Sequence, residues 1–176
     1  MSRPRGGAER LVALADPAMV LVTTVAGTER AGCLVGFHTQ CSIDPFRYAI
    51  WLSKANHTFR VSLLARHWAV HFLDAADLDL AELFGGRTGD QVDKFAACAW
   101  QPHATGVPLL DRCPHRLVVR RVALLDEGSD HVCLVTEPIE VHGTGPAAPM
   151  RLSRVAHLSP GHEADARPRP PSERAP

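Results

Sequence analysis

The stretch MVLVTTVAGTERAGCLVGF, residues 19–37, decides the fold class. Residues 19–25 are a continuous apolar and β-branched run, which reads as a buried strand. Ala26-Gly27-Thr28 supplies a hairpin turn. Residues 31–37 form a second strand, in which Gly32 and Gly36 allow close backbone approach. A strand hairpin this early, with no helical period in it, points to antiparallel β structure.

The same punctuation continues outward. Residues 48–53 (YAIWLS) are a third strand. Asn56 then stands where a helix N-cap belongs, ahead of a helix over residues 57–65. Residues 68–73 (WAVHFL) return to strand character. Residues 77–84 (DLDLAELF) predict a short amphipathic helix, with Asp at its start and Gly85-Gly86 at its end. Residues 91–95 predict a helical turn. Residues 117–125 and 131–141 are long strands joined by the loop DEGSD. Upstream, residues 9–15 predict a short helix stopped by Asp16-Pro17. Six or more strands with short helices between them indicate an all-β barrel. There is no βαβαβ alternation and no G-x-G-x-x-G, so a dinucleotide-binding doubly wound fold is disfavoured.

Beyond residue 141 the composition shifts. Seven prolines fall in the last 31 residues, and residues 161–176 hold no large apolar side chain. The expected organisation is an N-terminal arm over 1–18, a domain over 19–145 and a Pro-rich tail over 146–176. The tail is expected to be disordered from about 161, with residues 150–158 docking as a weak helix.

The chain has 176 residues, enough for one domain that buries roughly 70% of its unfolded surface. Lys+Arg 19 balances Asp+Glu 19. That argues against a nucleic-acid binder and gives no support to a polybasic membrane-surface protein. No uncharged apolar run approaches the ~18 residues of a membrane span. No signal peptide is legible, so a cytoplasmic location is the default. Cysteines 33, 41, 98, 113 and 133 form no CxxC pair, so neither a disulfide scaffold nor a structural zinc site is expected. His67 and His71 lie four apart on a strand, too widely separated for a good metal pair. No metal site is assigned.

Two segments hold candidate chemistry. Residues 36–45 (GFHTQCSIDP) read as a polar loop that leaves a strand at Gly36 and turns at Asp44-Pro45. Its amides and the polar groups of His38, Thr39, Gln40 and Ser42 could hold a phosphate or the edge of a ring. An ordinary polar loop is the alternative. Residues 53–58 (SKANHT) lie at a strand-to-helix junction. Lys54 there is one of only two lysines, the other being Lys94, and Asn56 is the only asparagine. Free helix amides with Lys54, Ser53 and Thr58 suit an anion; a capped helix with a solvated lysine is the alternative.

The order of these segments resembles the flavin reductase-like family of FMN-binding split barrels. Carrying the resemblance are Gly36, the polar loop, Ser42-Ile43-Asp44-Pro45 and Ser53-Lys54-Ala55-Asn56-His57-Thr58. It continues through Leu83-Phe84-Gly85-Gly86, Asp93-Lys94-Phe95, Gly106-Val107-Pro108-Leu109 and Ser129-Asp130-His131. The resemblance implies a mainly β, antiparallel Greek-key split β-barrel and a homodimer. It implies FMN, with FAD possible, and NADH or NADPH as donor. Leu34, Val35, Gly36, Phe37, His38, Thr39, Gln40 and Ser42 would contact the isoalloxazine and phosphate. Ser53, Lys54, Asn56, His57 and Thr58, with Lys94 and Phe95, would complete the cofactor site. Lys54 would pair with the phosphate, and His131 would meet the nicotinamide. The implied activity is hydride transfer from NAD(P)H to flavin, with a monooxygenase as a possible recipient of reduced flavin. Use of another acceptor or a deazaflavin, or a non-catalytic flavin-binding dimer, stays open. The loop departs from the family's usual serines and threonines at Leu34, Gly36, Phe37, His38 and Gln40, leaving backbone N–H groups to make those contacts.

Overall fold

The computed structural model describes residues 4–143, 147–159 and 161. Seven strands form one sheet in the order β2-β1-β5-β8-β9-β4-β3. They are β1 (Val20–Ala26), β2 (Glu29–Val35), β3 (His38–Ser42), β4 (Arg47–Ser53), β5 (His67–Phe72), β8 (Arg116–Leu125) and β9 (His131–His142). Every pairing in it is antiparallel. A two-stranded ribbon, β6 (Trp100–Pro102) with β7 (Pro108–Leu110), packs outside. Helices α1 (Pro4–Ala13), α2 (His57–Ser62), α3 (Leu78–Gly85) and α4 (Leu152–Val155) are short, and residues 94–96 form a 3-10 turn.

The edges β2 and β3 are consecutive in the chain and joined only by Gly36 and Phe37. Three Cα steps reach at most about 11 Å. A flat sheet would hold those edges roughly 29 Å apart, six strand spacings of about 4.8 Å. The sheet must therefore curl, and this mainly β, curled antiparallel sheet is the fold class that the sequence implied.

Curling explains the unbroken apolar run of β1. Val20 and Val22 point into the barrel with Cys33, Ile50, Leu52, Trp68, Val70 and Leu134. Leu21 and the preceding Met19 face outward, into a second cluster with Leu73, Leu80, Phe84, Phe95, Met150 and Val155. The turn between β1 and β2 is the two-residue Gly27-Thr28, with Gly27 at φ +60°. That left-handed conformation favours glycine.

Some expectations shift. Residues 36–45 were expected to form a loop, but His38–Ser42 is an edge strand paired with β4, and only residues 43–46 turn. Strand pairing is made by the backbone, and an edge strand tolerates polar side chains facing water. Helix α1 starts at Pro4 rather than at residue 9, and α2 stops at Ser62. Strands β6 and β7 were not anticipated. Residues 147–158 do dock: Met150 is fully buried, Met19 N–H donates to Met150 O at 2.7 Å, and Met150 N–H donates to Leu73 O at 2.8 Å. The expected disorder over residues 162–176 lies outside the described residues.

His71 is structural. It is fully buried on the outer face of β5, where Nδ1–H donates to Leu21 O at 3.2 Å and Nε2 accepts from Leu110 N–H at 3.1 Å. The neutral ring thus pins β7 to the barrel. Burial pushes its pKa from 6.5 down to about 3. Between those values the unfolded chain binds a proton that the folded chain does not. Stability is therefore full above about pH 6.5 and falls as pH drops, by up to about 1.4 kcal/mol per pH unit from this residue. Urea denaturation at pH 7, 6 and 5 should record that slope, and His71→Gln should flatten it.

Candidate functional site

A depression of about 620 Å³ lies between α3 and residues 97–99. Its lining has no aromatic side chain, and of its two cations, Arg87 and Arg112, the second is already matched. Arg112 donates to Asp77 at 2.5 Å and to Asp79 at 2.6 Å. A cleft of about 320 Å³ at the seam of the barrel is better suited to a planar ring. There β2 and β4 end, β9 begins, and the end of α3 and residues 152–158 close one side.

The strands determine what the cleft presents. Trp51 N–H donates to Phe37 O at 2.9 Å, tying the join between the sheet edges to β4. Ser53 on β4 pairs in register with His131 on β9. The His131 ring stands edge-on to Phe37, 5.4 Å between centroids. His131 Nδ1 lies 3.0 Å from Asp130 Oδ1, so Nδ1 carries the proton and a neutral ring keeps Nε2 as its acceptor. The floor is apolar, built from Met19, Leu34 and Phe84. A Cβ on Gly85 would stand 2.8 Å from Leu34 Cδ2, so glycine there keeps the floor open.

Lys94 holds two walls together from behind. It is buried, and its Nζ donates to Gly32 O at 3.1 Å and to Phe84 O at 2.9 Å. One ammonium thus ties β2 to the carbonyl end of α3, where the helix dipole favours a cation. Burial lowers its pKa. Cys33, on the cleft side of the same strand, has its thiol pushed up to about 11 by burial. It is protonated at neutral pH and is no nucleophile.

The candidate residues divide into four groups. Leu34, Val35, Gly36, Phe37, Ser53, Asn56 and His131 line the seam cleft. His57, Lys94 and Phe95 line a neighbouring polar pocket of about 370 Å³ with Arg30 and Asp90. There His57 lies 3.0 Å from Asp90 and 3.3 Å from Glu29. Lys54 pairs with Asp126 at 2.6 Å. The remainder face elsewhere. His38 Nε2–H donates to Ala18 O at 2.7 Å and Nδ1 accepts from the Tyr48 hydroxyl at 2.6 Å. Thr39, Gln40 and Ser42 lie along the edge strand, with Gln40 and Ser42 on an open surface depression. Thr58 is buried, and its N–H is capped by Asn56 Oδ1 at 2.9 Å.

Sequence reasoning passed over Trp51, Phe84, Gly85 and the 152–158 segment as parts of this cleft. Trp51 carried a signal, since alternation along β4 puts it on the same side as Ser53. Phe84 and Gly85 lay in the Leu83-Phe84-Gly85-Gly86 stretch that carried the resemblance but were given no place in the cleft, and the 152–158 segment comes from a distant element and left no such signal. Among the described residues no cluster of His, Cys, Asp or Glu is arranged to hold a metal ion. No described helix is long and apolar enough to cross a membrane.

The family model described as "Flavin reductase like domain" matches residues 14–154. Over 94 residues the chain is 30% identical to the FMN reductase (NADH) RutF of Stutzerimonas stutzeri strain A1501, covering 53% of each protein. It thus spans about half the length of the curated relatives it matches. The Streptomyces globisporus NADH:FAD oxidoreductase SgcE6 superimposes with a TM-score of 0.72 at 23% identity, covering 85% of this chain and 89% of that one. Nitrilotriacetate monooxygenase component B from Mycobacterium thermoresistibile does so at 0.69 and 19% identity, covering 82% of each.

The thiol environments make a direct check possible. Cys33 and Cys113 are buried, with pKa values pushed to about 11 and about 12, whereas Cys41 is exposed. At pH 8 a pKa of 11 leaves about 0.1% thiolate. Iodoacetamide should label Cys41 at least tenfold faster than Cys33 or Cys113, read by mass spectrometry of the digest.

Proposed function

This chain belongs to the flavin reductase like family, whose model spans most of its length. From that premise we propose that it is an NAD(P)H-dependent flavin reductase, using FMN or FAD in the seam cleft. The observation that carries the reading is the cleft itself. It has an apolar floor of Met19, Leu34 and Phe84, an aromatic rim of Phe37 and Trp51, and His131 at its mouth. Those groups suit a planar, mostly apolar ring with polar edges. The names of the relatives, an FMN reductase using NADH and an NADH:FAD oxidoreductase, support the same chemistry.

A bound flavin supplies the redox step, accepting a hydride from reduced nicotinamide. This chain's residues bind and orient. The end of β2 at Leu34 and Val35 and the join Gly36-Phe37 would hold the ring, with Ser53 and Asn56 toward its polar side. Lys54 lies next to Ser53 and would exchange Asp126 for a phosphate oxygen, a change of partner that costs little for a half-exposed pair. His131 positions the nicotinamide, with Asp130 fixing its tautomer. The domain runs through residue 158, because Met150 and Val155 are part of its core. A reducing cytoplasmic location fits the five free cysteines.

Two finer points belong to the same reading. Phe37 is 57% exposed beside the cleft, with exposed Ile43 and Leu125 elsewhere on the barrel. A homodimer would cover such surface and close the site. The chain should therefore sediment as a dimer at micromolar concentration; a monomer that binds flavin tightly contradicts this. The likeness to a monooxygenase component B supports an oxygenase as the recipient of reduced flavin.

The test is spectroscopic. Purified protein with FMN should lose its flavin absorbance on anaerobic addition of NADH or NADPH, and an unchanged spectrum with both donors rejects the reductase reading. On the same preparation His131→Ala should lower kcat/KM for NAD(P)H by about ten- to a hundredfold with little change in FMN affinity. Loss of both together would assign His131 to the flavin or the fold.

A further inference from the structure

We infer that residues 147–158 form a strap that grips the ring system of the cleft's ligand, and that Asp16 is the positioning residue that holds this strap. The inference rests on the seam cleft being the flavin site, and it assigns one wall of that cleft to a segment outside the barrel strands.

The strap follows β9 and crosses the outside of the barrel. Two isolated bridges tie it down, Asp74 with Pro149 and Ala18 with Arg151. Its apolar side chains divide by role. Met150 and Val155 are buried in the outer core. Leu152 and Leu158 are half-buried, and both line the cleft beside Val155. Leu158 Cδ1 lies 3.6 Å from the place a Cβ on Gly85 would take, which puts it against the cleft floor. This wall offers methyl groups and no polar side chain, so it recognises a ring rather than a ribityl chain or a phosphate.

Asp16 fastens the strap from 137 residues away. Its Oδ1 accepts from Ser153 N–H at 2.8 Å, and its Oδ2 accepts from the Ser153 hydroxyl at 2.8 Å. Its carbonyl accepts from Arg151 at 3.3 Å, and Pro17 O accepts from Leu152 N–H at 3.0 Å. Asp16 adopts φ +37°, the only positive value at a non-glycine among the described residues. That conformation is unfavourable for an L residue and persists where surrounding contacts impose it. The bonds to Ser153 hold the carboxyl below its ordinary pKa. A backbone strained into shape and a carboxylate with both oxygens on one serine have a common effect. They set the start of α4, and hence how far Leu152 and Leu158 reach into the cleft.

Three variants test this. Asp16→Gly suits the positive φ but removes both carboxylate bonds. Asp16→Asn keeps an acceptor for Ser153 N–H and a donor for its hydroxyl. Leu158→Ala shortens the wall and leaves the latch intact. Hydrogen–deuterium exchange of residues 150–158 reports the strap, and fluorescence titration with riboflavin, FMN and FAD reports the cleft. In Asp16→Gly we expect exchange in the strap to rise at least tenfold, and Kd for all three flavins to rise together by about tenfold. Asp16→Asn should stay within about twofold of the parent. Leu158→Ala should raise all three Kd values by a similar factor without faster exchange.

The inference is overturned if the strap loosens in Asp16→Gly while all three Kd values hold. It is equally overturned if FMN and FAD weaken and riboflavin does not, because the strap would then act on the phosphate. An unchanged Leu158→Ala removes the wall. A parent protein that binds none of the three flavins fails the flavin reading itself and this inference with it. Binding by the parent, with no change in the variants, fails this inference alone.

Discussion

Two residues, Gly36 and Phe37, join the opposite edges of a seven-stranded sheet, and the rest of the structure depends on that short connection. It forces the sheet to curl, and the strands β1 and β5 are buried on both faces. One face packs inside the barrel around Trp68 and Ile50, the other outside around Phe84 and Leu73. The outer layer would have nothing to cover it without α3, the β6–β7 ribbon and the strap. The small elements are therefore parts of the core. His71 illustrates the arrangement: one neutral imidazole satisfies a carbonyl of β1 and an amide of β7, with no water needed in between.

What could be read from the sequence follows from what is local. Strands β1, β2, β4, β5, β8 and β9 announce themselves because their burial is encoded by runs of apolar and β-branched residues. The Asn56 cap was legible because a cap bonds within two residues. Strand β3 was not, because its side chains look like a loop and only its backbone pairing makes it a strand. The short ribbon of β6 and β7 was missed for a related reason, since three residues carry no period.

The cleft divides along the same line. The loop around Gly36 and the Ser129-Asp130-His131 turn were legible from a resemblance in order and spacing. That neighbours in sequence part company was not: Asn56 lines the seam cleft, His57 meets Asp90, and Lys54 turns to Asp126. Both lysines of the chain are committed to partners more than 50 residues from each in at least one contact, Asp126 for Lys54 and Gly32 for Lys94. Rarity drew the eye to them, but only the fold says what each holds. Lys94 differs in kind from Lys54, since it is buried and bonded to two carbonyls rather than to an acid. Its effect is architectural, aligning a strand and a helix end on the same side of the cleft.

The seam carries one more consequence. The residues that would surround a planar ligand include the very connection that closes the sheet, for Phe37 accepts a main-chain bond from Trp51 and both border the cleft. A molecule seated there touches the end of β2, the end of β4 and the first residue of β9 at once. Occupancy and closure of the barrel are then one equilibrium viewed from two sides. Whatever fills the cleft acts as an additional rung across the gap, and a ligand that binds only the closed chain stabilises that closure.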